Sequence, residues 1–111
     1  GLVGGLGFAC SANIGDEVAV FEPTHGSAPK YADLNPSIVN PIAMILTAAM
    51  LLDHIGELDR AKAIREATAA VVASGKVRAY DMLRLPGGPE VLSQGAASTT
   101  QITDAIIASL A

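Results

Sequence analysis

His25-Gly26-Ser27-Ala28-Pro29-Lys30-Tyr31, followed by Val39-Asn40-Pro41, gathers turn formers, a cation, an aromatic hydroxyl and an imidazole into one short span. The apolar run Val18-Ala19-Val20-Phe21 precedes it and a long apolar segment follows, which places it at a strand-to-helix crossing. Gly26 and Ser27 permit a tight turn with exposed backbone N–H groups. Pro29 stiffens the loop, while Lys30 and Tyr31 add positive charge and a phenol. Such a loop can hold an anion, because N–H groups, a fixed turn and a cation converge there. The same residues also describe an ordinary surface turn, and on their own they do not separate the two.

Working outward, Glu17 to Glu22 reads as a strand with an apolar centre between acids, buried on both faces. Ser11-Ala12-Asn13-Ile14-Gly15-Asp16 reads as turn chemistry. Gly1 to Gly7 invites a dinucleotide-loop reading, but Cys10 stands where the third glycine belongs and no strand precedes it. A helix end and an extended turn fit that segment better. Downstream, Asp33-Leu34-Asn35-Pro36-Ser37 is a loop and Asn40-Pro41 a helix start, with Asn capping and Pro at the first helical position. Pro41 to Ile55 is apolar nearly all round, the pattern of a buried helix, and Gly56 stops it.

Leu58 to Ser74 is a second helix, with Leu58, Ala61, Ile64, Thr68, Val71 and Val72 as its apolar stripe and Gly75 after its end. Val77 to Leu85 starts extended and carries Tyr80 and Arg84, and Pro86-Gly87-Gly88-Pro89 is a loop. Ser98-Thr99-Thr100-Gln101 is a capping box ahead of a last helix that lines up Ile102, Ala105, Ile106 and Leu110.

The chain has 111 residues, enough for one core, and half of them are hydrophobic while only 16% are charged. A composition this apolar predicts a large face that meets other protein. Net charge is −4, from 7 basic and 11 acidic residues, which argues against a nucleic-acid surface. One cysteine, Cys10, cannot form an internal disulfide, so a reducing, cytoplasmic setting is the default. The apolar run from Ile42 to Leu52 is too short to span a bilayer, and no membrane association is expected. The aspartates are scattered, so no metal site is expected within the chain.

The block Phe21-Glu22-Pro23-Thr24-His25-Gly26-Ser27-Ala28-Pro29-Lys30-Tyr31-Ala32, with Val39-Asn40-Pro41, closely resembles the isocitrate and isopropylmalate dehydrogenase family. Gly4-Gly5-Leu6-Gly7-Phe8-Ala9 and Ser11-Ala12-Asn13-Ile14-Gly15 resemble the same family's preceding segment. The resemblance implies an α/β fold, the C-terminal part of that family's large domain, with Rossmann-like layering but without the usual GxGxxG loop. On this basis residues 1–111 are the cofactor-binding portion, and the upstream catalytic part is absent.

In that family the residues after His-Gly-Ser-Ala-Pro discriminate the cofactor, and NAD-using members carry an acid where Lys30 stands. A carboxylate would bond a free 2′-hydroxyl and repel a 2′-phosphate, whereas cations and hydroxyls suit the phosphate. Lys30-Tyr31 therefore resembles the NADP-using bacterial isocitrate dehydrogenases, and Tyr80 and Arg84 match a second phosphate-side pair at the family's spacing. Val39 and Asn40 resemble residues that meet the adenine. His25 would lie near the adenosine, and Gly26, Ser27, Ala28 and Pro29 would supply the loop itself. Glu22 fits either the nicotinamide side or a plain strand end.

The implied reaction is oxidative decarboxylation of isocitrate by a homodimer using NADP and Mg²⁺ or Mn²⁺. Its substrate arginines, catalytic residues and metal aspartates all fall upstream of Gly1, so no catalytic residue is assigned and the chain alone is expected to be inert. An NAD-dependent homoisocitrate, isopropylmalate or tartrate dehydrogenase, or a non-catalytic nucleotide-binding relative, is the alternative.

Overall fold

Gly15 and Val18 close the first turn of the computed structural model, which describes residues 10–26 and 29–110. The Gly15 N–H donates to the Val18 carbonyl at 2.8 Å. The chain thereby folds back, and β1 (Cys10–Ile14) pairs antiparallel with β2 (Ala19–Pro23), with Cys10 opposite Pro23 and Ile14 opposite Ala19. Ser11 to Ile14 is thus strand rather than turn, because cross-strand ladder bonds override the local preference of residues such as Asn13. The hairpin is not buried on both faces either. Phe21 turns toward His54 with ring centroids 5.4 Å apart, while Val20 remains 51% exposed and Val18 in the turn 68%. Period-two alternation, not a continuous buried run, describes β2.

Asn40 and Pro41 lead into α1 (Ile42–His54) one position later than expected, with Pro41 rather than Asn40 at the cap because the Pro41 carbonyl accepts the first helical bond, from Ile45. Pro41 already has helical angles, and Asn40 Oδ1 accepts the Ile42 N–H at 2.9 Å. The stop is a Schellman arrangement: Gly56, at φ +89°, donates to the Asp53 carbonyl and Glu57 to that of Leu52. Only part of α1 is buried. Ile42, Ala43, Thr47 and Ala49 face inward, whereas Met44, Leu51 and Ile55 are exposed, since the hairpin and the next helix cover only one side.

The second helix, α2 (Leu58–Ser74), ends at Gly75 in the left-handed conformation. It packs its Ala61, Ala67, Thr68 and Val71 inward, although Leu58 at its start is exposed. An Arg65–Asp53 ion pair joins it to α1, and at that exposure contributes at most about 1 kcal/mol. The last helix, α3 (Thr99–Ser109), opens with a complete Ser98–Gln101 capping box, and Leu110 lies just past its end, exposed. Ile42, Ala67, Val71, Ala79, Ala97, Ile102 and Ile106 form the main core among the three helices. A smaller outer cluster of Ile38, Val91 and Ala96 gathers the loops around Tyr31, Leu34, Tyr80, Leu83 and Leu85. No helix among the described residues is long and apolar enough to cross a membrane. The proposed helix end within Gly1–Gly7 lies outside the described residues.

Candidate functional site

Pro29–Tyr31 forms one 3-10 turn, which leaves Lys30 exposed and lets Tyr31 pack on the outer cluster. Lys30 Nζ lies 5.0 Å from the centroid of the Tyr31 ring, a cation–π separation. Tyr80 meets Tyr31 edge-on, with centroids 5.8 Å apart and planes at 66°. Two segments far apart in sequence are thus brought together. Residues 80–84 form a compact turn rather than an extended segment: Leu83 N–H donates to the Tyr80 carbonyl at 3.2 Å and Leu85 N–H at 2.9 Å. Arg84 ends that turn at φ +59°, a conformation costing a non-glycine residue about 1–2 kcal/mol.

Asn40 reaches the same turn, its Nδ2 lying 3.3 and 3.4 Å from the two carboxylate oxygens of Asp81. Val39 is held from the other side, where its carbonyl accepts the Thr99 hydroxyl and the Thr99 N–H donates to the Ser37 carbonyl. His25 donates from Nδ1 to the Gly26 carbonyl at 2.8 Å, which in the neutral ring leaves Nε2 as an acceptor. Among the described residues no hydrogen bond or ring contact joins His25 to the tyrosine pair. Ser27 and Ala28 lie outside the described residues.

Gly87 is a site residue that sequence reasoning passes over as loop. A Cβ there would come within 2.1 Å of the Tyr31 hydroxyl and 2.4 Å of its ring, so the absence of a side chain makes the seat for Tyr31. Sequence offers only the Pro86-Gly87-Gly88-Pro89 turn signal, with nothing to point at Tyr31. Gly87 has no positive φ, so Gly87→Ala alters space rather than backbone. The variant is expected to fold with a melting temperature near the parent's and to swing Tyr31 away. Loss of near-ultraviolet tyrosine dichroism, with unchanged far-ultraviolet spectrum, checks this.

Burial, followed by the neighbouring Tyr31 hydroxyl and the Asp81 charge, pushes the Tyr80 phenol up to about 12. The native state therefore holds the Tyr80 proton more tightly than the unfolded chain does. The stability this supplies is complete below pH 10 and is lost as pH rises from 10 toward about 12. A phenolate absorbance titration is expected to show a late step near 12 that disappears in Tyr80→Phe; a single step near 10 would contradict the burial.

Ion pairs among the described residues join Arg60 to Glu57, Lys62 to Glu66 and Arg65 to Asp53, and involve neither Lys30 nor Arg84. In a chain of net charge −4, the Lys30 cation over one of two adjoining phenols, with Arg84 at the end of the turn that carries the other, suits an anionic ligand. No group of three or more His, Cys, Asp or Glu able to hold a metal ion occurs among the described residues.

The family profile described as isocitrate/isopropylmalate dehydrogenase matches residues 1–106. The isocitrate dehydrogenase [NADP] of Thermus thermophilus is 46% identical over 110 residues, which is 99% of this chain and 20% of that protein. The homoisocitrate dehydrogenase of Methanocaldococcus jannaschii is 54% identical over 76 residues, or 68% of this chain and 21% of that protein. The crystal structure of isocitrate dehydrogenase from Methylococcus capsulatus superposes with a TM-score of 0.80 at 39% identity, covering 96% of this chain and 28% of that one. The matched stretch spans 20–28% of the length of these relatives.

Proposed function

This chain belongs to the isocitrate/isopropylmalate dehydrogenase family, and on that premise we propose that it builds the adenosine 2′-phosphate side of an NADP site in an isocitrate dehydrogenase. The observation that carries the proposal is the convergence of Lys30 and Tyr31 with Tyr80 on one patch, with Arg84 closing the same turn. The donor set suits the group: a dianionic phosphate takes cations and hydroxyls, and no acid stands at position 30 to select a free 2′-hydroxyl. Bound NADP would supply a hydride acceptor. These residues hold only its adenosine end. The loop from His25 to Pro29 and the backbone of Val39 would flank the nucleoside.

In this proposal residues 1–111 are the C-terminal, cofactor-binding portion of the large domain. The isocitrate clamp and the ligands of Mg²⁺ or Mn²⁺ would then come from outside the stretch that matches a fifth of such a relative, and the whole would act as a homodimer. The likeness to a homoisocitrate dehydrogenase favours a second reading, a member acting on a different 2-hydroxy acid, and for that reading we infer NAD as the cofactor. Calorimetric binding of 2′,5′-ADP against 5′-AMP separates the two. A preference of tenfold or more for the 2′-phosphate, about 1.4 kcal/mol, supports NADP; equal affinity, or none for either, overturns it.

A further inference from the structure

Asp81 is a carboxylate that follows Tyr80 in the turn, next to the patch that Tyr80 forms with Tyr31 and Lys30. Its oxygens are engaged from within the protein. The Met82 N–H donates to Oδ1 at 3.0 Å, and Asn40 Nδ2 faces both oxygens at 3.3 and 3.4 Å. Asn40 is only 5% exposed, and its Oδ1 already accepts the Ile42 N–H. A backbone N–H can only donate, so the oxygen end of the amide must face Ile42 and its nitrogen end must face Asp81.

Resting on the cofactor assignment above, we propose that the Asn40–Asp81 hydrogen bond is a positioning device. It sets the Tyr80–Arg84 turn in register with Lys30 and Tyr31, and thereby governs selectivity for a 2′-phosphorylated nucleotide. One end of the link is the start of α1, anchored by the fully buried Ile42. The other is a turn whose backbone bonds are local, from Leu83 and Leu85 to Tyr80 and from Arg84 to Asp81. Asn40–Asp81 ties the turn at 80–84 to the start of α1, while the Tyr80 phenol meets the Tyr31 hydroxyl beside Lys30. The Asn40 side chain then acts on the patch through Asp81. The Asp81 charge, drawn toward an amide and a backbone N–H, is partly offset where a phosphate is to bind.

The test is the ratio of calorimetric affinities for 2′,5′-ADP and 5′-AMP in the chain and its variants, with thermal melts recorded alongside. Asn40→Ser keeps an oxygen able to accept the Ile42 N–H but cannot reach Asp81. Asp81→Asn can still accept from Asn40 and Met82, and serves as the conservative rescue. Asn40→Ser and Asp81→Ala are each expected to lower the ratio about tenfold, the double variant no further than either single one, and Asp81→Asn to retain it. A wild-type ratio near one, or no binding at all, overturns the cofactor assignment and this inference with it. A wild-type preference that survives Asn40→Ser and Asp81→Ala, or losses that simply add, overturns the positioning role alone. Should Asp81→Ala not fold, Asn40→Ser against Asp81→Asn decides the same question.

Discussion

Lys30→Asp is expected to erase the preference for 2′,5′-ADP over 5′-AMP, lowering affinity for the former about a hundredfold and leaving the latter within roughly threefold. Lys30 is exposed and makes no salt bridge among the described residues. A hydrogen bond from an ammonium to a phosphate contributes about 1.5–3 kcal/mol net, and reversal of charge adds repulsion to that loss. Solvent screening moderates both effects, so the difference between the two proteins should shrink as salt is raised. Calorimetry at two ionic strengths provides the measurement. An equal loss for both nucleotides would mean that Lys30 supports the loop rather than meeting the 2′-phosphate.

Ile102→Ala carries the largest expected cost to the fold. Ile102 is fully buried, one turn from the capped start of α3, in the cluster that joins it to Ile42, Ala67, Val71 and Ile106. Removing the buried methyl and methylene groups loses their transfer free energy and leaves a cavity, together costing about 2–5 kcal/mol. Against a total stability of about 5–15 kcal/mol, that is a drop in melting temperature of roughly 10 °C or more. Urea unfolding should show a lower midpoint with an unchanged slope. A loss below about 1 kcal/mol would show that the three-helix cluster is not what holds the chain together.

Signals confined to a few neighbouring residues were readable in the sequence. Asn40 and Pro41 lead into α1, Gly56 and Gly75 end the first two helices, and Ser98 and Gln101 cap the third, each because a side chain or a positive φ acts within one turn of its own position. Relations between distant residues were not. Ser11 to Ile14 carry turn formers yet become a strand through partners across a hairpin, and the outward faces of Val20 and Met44 depend on what lies beside them. The family motif named Lys30, Tyr31 and Tyr80, but gave no hint that Gly87 leaves room for Tyr31 or that Asp81 receives Asn40. Both are contacts between segments with no shared periodicity.

The two hydrophobic clusters meet in one turn, which couples the chain's evolutionary choices. Ile38, Val91 and Ala96 sit under the tyrosine pair, whereas the helices close on another group around Ile42 and Ile102. Tyr80 and Leu83 pack on the first group, but Ala79 and Met82 pack on the second. Sites that share partners do not respond to substitution independently. A change that re-aims the tyrosine pair therefore draws on the margin of the helical scaffold, and a lineage gains room for it by first accumulating stabilising changes among the helices.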